Sequence, residues 1–290
     1  MRVLITGANG QLGLALQHVL AQHDAIIDTV DLPELDISSH ESVTAWFGAH
    51  DAYDVVFNCA AFTNVDGCET NFAAAFAANA LGPMNLARAC AATGATLVHV
   101  STDYVFAGNE PGARVEDDVP APISAYGRSK LAGEGLALAA NPRTHVVRTA
   151  WLYGEGRNFV RTMLSLADRF DEVTVVDDQV GNPTFAGDLA RELVRIAHTE
   201  HFGVWHCTNE GTCSWADLAE EAYRLAGVAT KVRRCTSAEW KAMHPESADR
   251  PAFSSLQNAR LEATIGNGMR PWKEALAEYL AVAPARGGVA

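Results

Sequence analysis

The sequence predicts an α/β fold, a doubly wound parallel sheet covered by helices on both faces, with a smaller lobe in the C-terminal part. Short apolar, β-branched runs alternate with helical stretches through the first 150 residues, and a parallel sheet requires this order. The alternation weakens after about Trp151, where Gly- and Pro-containing connections separate the helices. We therefore expect residues 1–150 to form the core, with a later return of the chain to the sheet. Residues 151–290 are expected to form mainly the lobe.

Each predicted strand is a short buried run, and each predicted helix shows a helical spacing of its apolar residues. Ser38 or Ser39 is placed to cap the second helix. The helix over Asn71–Thr93 is rich in alanine and is expected to bend near Gly82 and Pro83. The predicted strands are Arg2–Thr6, Ala25–Val30, Asp54–Asn58, Thr96–Ser101 and His145–Thr149, and the predicted helices are Leu12–Ala21, Ser39–His50, Asn71–Thr93, Ala125–Ala139, Asn158–Phe170, Gly187–His198 and Ser214–Ala226.

Composition excludes several classes of protein. The net charge is −13 and the pI is about 5.1, which argues against a general nucleic-acid or membrane-surface binder. No apolar run approaches the ~20 residues of a membrane span, and the segment before Gly7 is too short for a signal sequence. The six cysteines form no C-x-x-C pair, so we expect reduced thiols, no metal site and a cytoplasmic protein. The tail, residues 281–290, is expected to fray.

A glycine-rich turn follows the first strand and opens a helix, in the pattern G-x-x-G-x-x-G over Gly7–Gly13. Glycine lets the backbone approach a pyrophosphate, and the helix N-terminus offers free N–H groups to it. This context predicts a Rossmann-type site for a dinucleotide, either NADPH or NADH. The turn residues expected to bind it are Gly7, Asn9, Gly10, Gln11 and Leu12.

Three later segments extend this predicted cofactor site. Asp31 ends the second strand, where an acid binds the adenosine ribose and repels a 2′-phosphate; a loop-start aspartate is the alternative. Asp36 and Ile37 are expected beside the adenine. The loop after the third strand carries small residues that can pass close to a flat ligand, or that simply allow tight packing; its predicted cofactor contacts are Ala60, Ala61 and Thr63.

Tyr126 and Lys130 stand four residues apart on a predicted helix, which puts both on one face. An ammonium beside a phenol favours the phenolate, so this tyrosine is expected to exchange a proton nearer neutral pH. Thr102 ends the fourth predicted strand region, where a hydroxyl can bind a substrate carbonyl. Together with the glycine-rich turn, these residues predict hydride transfer to or from a carbonyl. His99, inside the strand, is expected to be structural.

These motifs resemble the extended short-chain dehydrogenase/reductase family, and the finer sequence resembles the dTDP-4-dehydrorhamnose reductases within it. The segments that carry the resemblance run through nearly the whole chain in the expected order. They are Gly7–Gly13, Asn58–Thr63 with Val65 and Asp66, Ser101–Gly108, Tyr126–Lys130, Arg148–Gly154, Asp178–Thr184, and Arg250 with Pro251.

The resemblance implies reduction of the C4 keto group of dTDP-4-dehydro-L-rhamnose, with Thr102, Tyr126 and Lys130 as the catalytic residues. Tyr126 and Lys130 also hold the cofactor in this family. The substrate-binding positions that the resemblance implies are Val65, Thr102, Asp103, Tyr126, Trp151, Asn158, Asn182 and Arg250. For Arg250 a guanidinium suits a phosphate, and a surface salt bridge is the alternative.

Some relatives in this family form dimers through magnesium held by glutamates. Ala15 stands at the first-helix position, and the segment Ala186–Asp188 lacks the matching glutamate. We therefore expect a monomer or a homodimer without a bridging metal.

A related nucleotide-sugar 4-ketoreductase, an epimerase and a non-catalytic subunit stay open as alternatives, whereas a dehydratase is disfavoured. A 4,6-dehydratase needs Thr-Asp-Glu, but Tyr104 stands at the glutamate position. An epimerase uses the same three catalytic residues. A non-catalytic NADP-binding subunit, of the kind that regulates methionine adenosyltransferase, has the same fold.

Overall fold

The computed structural model describes residues 1–282. Its largest sheet has six strands: β1 (Arg2–Thr6), β2 (Ile26–Val30), β3 (Val55–Asn58), β4 (Thr96–Thr102), β5 (Thr144–Thr149) and β10 (Gly203–His206). Three two-stranded sheets are built from β6 (Leu152–Tyr153) with β9 (Thr184–Phe185), β7 (Glu172–Val176) with β12 (Lys231–Cys235), and β8 (Val180–Gly181) with β11 (Cys213–Ser214).

Helices connect most of these strands. The helices are α1 (Gln11–Leu20), α2 (His40–Ala49), α3 (Val65–Thr70), α4 (Phe72–Phe76), α5 (Gly82–Thr93), α6 (Ala125–Ala140), α7 (Phe159–Ala167), α8 (Ala186–Ala197), α9 (Trp215–Ala226), α10 (Ser237–Met243), α11 (Ala259–Ala263) and α12 (Trp272–Val282). A π-helical turn, Ala77–Leu81, joins α4 to α5. It ends just before the predicted bend, where Pro83 has no N–H to donate to the turn before it.

The six strands of the main sheet run parallel in the order β2-β1-β3-β4-β5-β10. The order reverses between β1 and β3, and ligands of open α/β sheets bind outside the strand ends at such a point. Thr6 lies beside Val30 and Asn58, and Thr102 lies beside Thr149. The carboxyl ends of neighbouring strands therefore meet at one edge. The predicted fold class is confirmed.

Each face of the sheet carries its own apolar core, because side chains alternate along each strand. Val3 and Ile5 point to a cluster that includes Leu16 of α1 and Leu189 of α8. Leu4 points to the opposite cluster with residues of α2, α5 and α6. Helix α6, which carries Tyr126 and Lys130, is thereby packed against the sheet.

The part of the chain after Trp151 does not form one separate layer. Strand β10 joins the main sheet beside β5, and α8 packs on the same face as α1. Elsewhere α7, α9 and the β7–β12 pair share apolar clusters of their own.

The predicted elements agree closely with the structure in their order and bounds. Ser39 caps α2 by accepting a hydrogen bond from the Ser42 backbone N–H. The helix predicted to reach Phe170 ends at Ala167. Ala281 and Val282 belong to α12, so fraying does not begin at residue 281. The rest of that predicted tail lies outside the described residues.

Candidate active site

A cleft of about 700 Å³ lies at the carboxyl edge of the main sheet. All thirteen residues predicted to bind the cofactor line it, as do four of the eight predicted substrate residues. The lining cofactor residues are Gly7, Asn9, Gly10, Gln11, Leu12, Asp31, Asp36, Ile37, Ala60, Ala61, Thr63, Tyr126 and Lys130, and the lining substrate residues are Thr102, Asp103, Tyr126 and Trp151. The fold thus brings most of the predicted site together.

The glycine-rich turn is shaped for a close backbone approach. Gly7 has φ +67°, and a Cβ there would lie 2.6 Å from the backbone N of Ala60. A Cβ on Gly13 would lie 2.5 Å from the carbonyl oxygen of Gly7. Helix α1 begins at Gln11 without a side-chain cap, so its first N–H groups face the cleft unpaired. These features fit the pyrophosphate of a dinucleotide.

Asp31 lies against this turn. Its Oδ2 accepts a hydrogen bond from the Asn9 backbone N at 3.1 Å, and its Oδ1 accepts from the Leu32 N at 2.9 Å. Asp36 is fixed by Ser38, whose N and Oγ both donate to Oδ1 at 2.9 and 2.7 Å. Asn85 donates to the carbonyl oxygen of Ile37 at 3.0 Å. This end of the cleft is rigid and carries acids rather than cations.

Hydrogen bonds from two asparagine side chains fix the loop after β3. Asn58 accepts hydrogen bonds from the Thr6 hydroxyl at 2.8 Å and from the Ala60 N at 3.1 Å. Asn79 accepts from the Phe62 N at 2.7 Å and donates back to the Phe62 carbonyl at 3.0 Å. Asn58 also contacts the buried His99 ring at 3.0 Å, which agrees with a structural role for this histidine.

Thr102, Tyr126 and Lys130 meet where β4 ends against α6. The Thr102 hydroxyl donates to Asp103 Oδ1 at 2.9 Å. It also lies close enough to Tyr126 for a hydrogen bond that favours the phenolate. The Lys130 Nζ donates to the carbonyl oxygen of Val100 at 2.7 Å. The three groups line one wall of the cleft.

The expected effect of Lys130 on Tyr126 is wrong for this structure. Withdrawal from water raises the pKa of Tyr126 above its usual range, and the Thr102 hydrogen bond only partly opposes this. Lys130 is not among the largest influences on the pKa of Tyr126, and its ammonium donates to the Val100 carbonyl. Burial lowers the pKa of Lys130 to about 8, against the effects of Glu134 and Cys59. Tyr126 is therefore a protonated group at neutral pH, suited to donate a proton.

Two further lining residues are unusual. Asp103 is buried, and its Oδ2 has no hydrogen-bond partner; burial raises its pKa to about 6. Trp151 has φ +45° and stacks on Trp215 with ring centroids 3.6 Å apart. A Cβ on Gly181 would lie 2.6 Å from the Trp151 ring. The indole is thus held flat between these neighbours, with its remaining surface toward the cleft.

Four predicted substrate residues lie off the cleft wall, and the polar groups of three are engaged inside the protein. Asn158 caps α7 and donates to the carbonyl of Gly154 at 2.7 Å. Asn182 accepts from the Leu256 N at 2.8 Å. Arg250 pairs with Asp66 at 3.2 Å. Val65, the fourth, begins α3. For Asn158 and Asn182 this geometry favours structural roles, whereas the Arg250–Asp66 pair is partly exposed and the substrate role of Arg250 stays a prediction.

The loop after β6 adds lining residues that the motifs did not indicate, among them Glu155 and Arg157. A Cβ on Gly154 would lie 3.7 Å from Gln11 Cβ, so this loop lies beside the N-terminus of α1. Arg157 and Lys130 are the cations among the described residues that line the cleft. The only available signal was an arginine in a glycine-containing loop, which is too common to identify a site.

The comparisons agree with this geometry. The family model for the RmlD substrate binding domain matches residues 1–284. A dTDP-4-dehydrorhamnose reductase of Mycobacterium tuberculosis is 43% identical over 98% of this chain and 93% of its own. The chain belongs to the RmlD family. The resemblance inferred from its motifs is thereby confirmed.

Two other relatives bear on cofactor and substrate. The crystal structure of dTDP-4-dehydrorhamnose reductase from Bacillus anthracis in complex with NADP superposes with a TM-score of 0.92, at 37% identity, over 97% of this chain and 98% of that one. A probable dTDP-4,6-dihydroxy-2-methyloxan-3-one 4-ketoreductase from Streptomyces antibioticus is 42% identical over 96% of this chain and 94% of its own.

Among residues 1–282, no helix has the length and apolar character needed to span a membrane. In the same residues, no group of three or more His, Cys, Asp and Glu side chains is arranged to hold a metal ion.

Proposed function

We propose that this protein reduces the C4 keto group of dTDP-4-dehydro-L-rhamnose with NADPH or NADH, giving dTDP-L-rhamnose. The observation that carries the proposal is the cleft itself. Thr102, Tyr126 and Lys130 share one wall with an uncapped, glycine-rich helix N-terminus, in a chain that belongs to a family of reductases for this sugar.

The glycine-rich turn and Lys130 would hold the reduced dinucleotide, which would supply the hydride to C4. Tyr126, whose raised pKa keeps it protonated, donates the phenolic proton to the sugar C4 oxygen. The Thr102 hydroxyl stabilises the negative charge that develops on that oxygen. Lys130 is placed to hold the nicotinamide ribose once its ammonium leaves the Val100 carbonyl. Trp151 provides an apolar ring edge beside the sugar.

The proposal assigns different tasks to the two parts of the chain. Residues 1–150 bind the dinucleotide, and residues 151–290 mainly bind the nucleotide sugar. The six cysteines are all free thiols in the structure, which supports a reducing, cytoplasmic location. The protein acts as a monomer or as a homodimer that needs no bridging metal.

A second candidate is reduction of the 4-keto group of another dTDP sugar. The Streptomyces antibioticus relative, named for such a reaction, is almost as similar as the rhamnose-pathway relative. Dehydration is less well supported, because Tyr104 stands where a dehydratase has its base. Burial raises the pKa of Tyr104 to about 12, so it does not provide one.

A coupled assay distinguishes these candidates. The purified protein is given a panel of dTDP-4-keto-6-deoxysugars with NADH or NADPH, oxidation of the cofactor is followed, and the product configuration at C4 is determined. The proposal expects the highest kcat/KM with dTDP-4-dehydro-L-rhamnose and formation of dTDP-L-rhamnose. A higher kcat/KM with another sugar favours the second candidate. Cofactor binding without oxidation for any sugar would support a regulatory subunit instead.

A further inference from the structure

Three consecutive residues of β4 hold three side chains spaced one helical turn apart on α6. Thr102 and Tyr126 both line the cleft, the carbonyl of Val100 accepts from Lys130 at 2.7 Å, and Ser101 lies between Val100 and Thr102 on β4. Positions 126, 130 and 134 share one face of the helix. The third partner on that face is Glu134, and the Ser101 hydroxyl donates to its Oε1 at 2.6 Å. Glu134 thus continues the row of the catalytic side chains.

Glu134 is also half of a buried ion pair. Arg148 of β5 donates to it through Nε at 3.0 Å and through Nη2 at 2.7 Å. The side chains are only 3% and 4% exposed. The other end of the Arg148 guanidinium contacts His206 of β10 at 3.4 Å. A carboxylate held by three donors in the protein interior has a fixed position, and it fixes Ser101, the residue before Thr102.

We propose that Glu134 is a positioning residue for the reductase site: it aligns Thr102 with Tyr126 through Ser101, and it supplies the negative charge that offsets the buried ammonium of Lys130. This inference rests on the proposed function, because it gives Lys130 a task in holding the nicotinamide cofactor. The inference adds Glu134 and Ser101 to the residues on which cofactor binding by Lys130 and the alignment of Thr102 depend.

Among the titratable groups that interact with Lys130, Glu134 is the one that carries a negative charge at neutral pH. Burial raises the pKa of the Cys59 thiol to about 12 and that of Tyr126 still further, and it lowers the pKa of His99 well below its usual value. These three groups are therefore neutral at pH 7. Glu134 is the largest opposing influence on the lowered pKa of Lys130, which is about 8. Arg148 pairs with Glu134 and offsets part of its charge.

The first experiment measures cofactor affinity as a function of pH, without substrate, in Glu134→Gln. In the wild type, NADH and NADPH binding should weaken as pH rises through the pKa of Lys130, near 8. Glutamine still accepts from Ser101 but carries no charge, so the transition should move to lower pH by about one unit, the low end of the effect of a nearby charge. The upper limb of the pH profile of kcat should move by the same amount.

Three variants separate positioning from folding. Glu134→Asp keeps the charge and should restore the wild-type pH transition while kcat stays reduced. Ser101→Ala keeps the charge but removes the hydrogen bond, so kcat should fall several-fold with an unshifted transition. Glu192→Gln is the matched control, since Glu192 is equally buried and pairs with Arg195 at 2.7 Å, but lies on α8 and not on the helix that carries Tyr126 and Lys130. It should lower the melting temperature without moving the transition.

If Glu134→Gln does not fold, the double variant Glu134→Leu with Arg148→Met removes both charges and leaves no unpaired arginine. It should fold and should still show the lowered transition. The proposal would be overturned if cofactor affinity in either folded variant changed at the same pH as in the wild type. It would also be overturned if Glu192→Gln moved that pH by as much as Glu134→Gln. Wild-type protein that binds cofactor with this pH dependence but reduces no sugar would refute the proposed function and leave the role of Glu134 standing.

Discussion

Replacing Asp31 by Asn should shift the choice between the two cofactors toward NADPH. The carboxylate lies on the cleft wall against the glycine-rich turn, where it accepts from the Asn9 and Leu32 N–H groups. Its neighbours along the wall are Leu32, Leu35, Asp36 and Ile37, so this part of the wall offers no cation from residues 1–282 to a 2′-phosphate. Asparagine removes the charge and keeps an oxygen acceptor for the turn, which alanine does not.

The size of the shift follows from the position of Asp31. Two unit charges 4 Å apart interact by about 1 kcal/mol in water and by several-fold more near a protein surface. Asp31 is half-exposed and the cleft is open, so solvent screening keeps the repulsion near the lower value. A phosphate that carries about 1.5 to 2 charges, further screened by salt, then accounts for about 1–1.5 kcal/mol. The wild type should use both cofactors with a preference under about tenfold. Asp31→Asn should raise kcat/KM for NADPH relative to NADH by about five- to tenfold.

The assay is steady-state kinetics with each cofactor, at low and at high ionic strength, since salt should reduce the difference between the two proteins. Glu34→Gln serves as the control for a nearby acid outside the cleft wall. A strong NADPH preference in the wild type that persists in Asp31→Asn would show that Asp31 does not face the ribose, and the reasoning would fail.

The remaining predictions concern the cleft and its mouth. Tyr126→Phe should reduce kcat by roughly 10²-fold or more while the cofactor Kd, measured by calorimetry, changes little; near-normal turnover would refute its role. Lys130→Ala should weaken cofactor binding more than Tyr126→Phe does, and equal affinities would contradict its ribose contact. Arg250→Ala should weaken nucleotide-sugar binding by about 1.5–3 kcal/mol without changing the cofactor Kd. If Asp66→Asn has the same effects as Arg250→Ala, the pair is structural. Arg157→Ala should raise the Kd of a diphosphate ligand. Separate titrations with NADH and with dTDP show which of the two ligands Arg157 contacts. An unchanged Kd for both ligands would show that Arg157 binds neither.

The fold could be predicted because several independent signals agreed. The β-branched run at Arg2–Thr6, the glycine turn and the helix after it all match the structure within a residue. Helices α3 and α10 to α12 and strands β6 to β12 were not predicted from the sequence, and two of them show the physical reason. Helix α3 (Val65–Thr70) has only six residues, too few for an apolar period to show. Strand β10 has four, and its pairing with β5 is a long-range contact that local pattern does not encode.

The positions of the site that depend on backbone geometry could be predicted from the sequence, and those that depend on side-chain contacts could be predicted less well. Glycine, turn and strand-end positions follow from local geometry, and these positions line the cleft. An asparagine, by contrast, caps a helix or contacts a ligand with the same side chain, and Asn158 is engaged in the first way here. Helical spacing correctly predicted that Lys130 and Tyr126 lie on one face of the helix. It could not show that the Lys130 ammonium donates a hydrogen bond to the Val100 carbonyl.

The charge of the protein limits how it can hold two diphosphate ligands. The chain has a net charge of −13, and among the described residues the cleft wall carries Asp31, Asp36, Asp103 and Glu155 against Lys130 and Arg157. Cations therefore cannot supply most of the binding. The unpaired N–H groups at the start of α1 can, because they carry partial positive charge without adding a charged side chain. The glycines that bring ligand and backbone together do the work that arginine and lysine do in basic sites, and this leaves Lys130 free to act at the reacting end of the cleft.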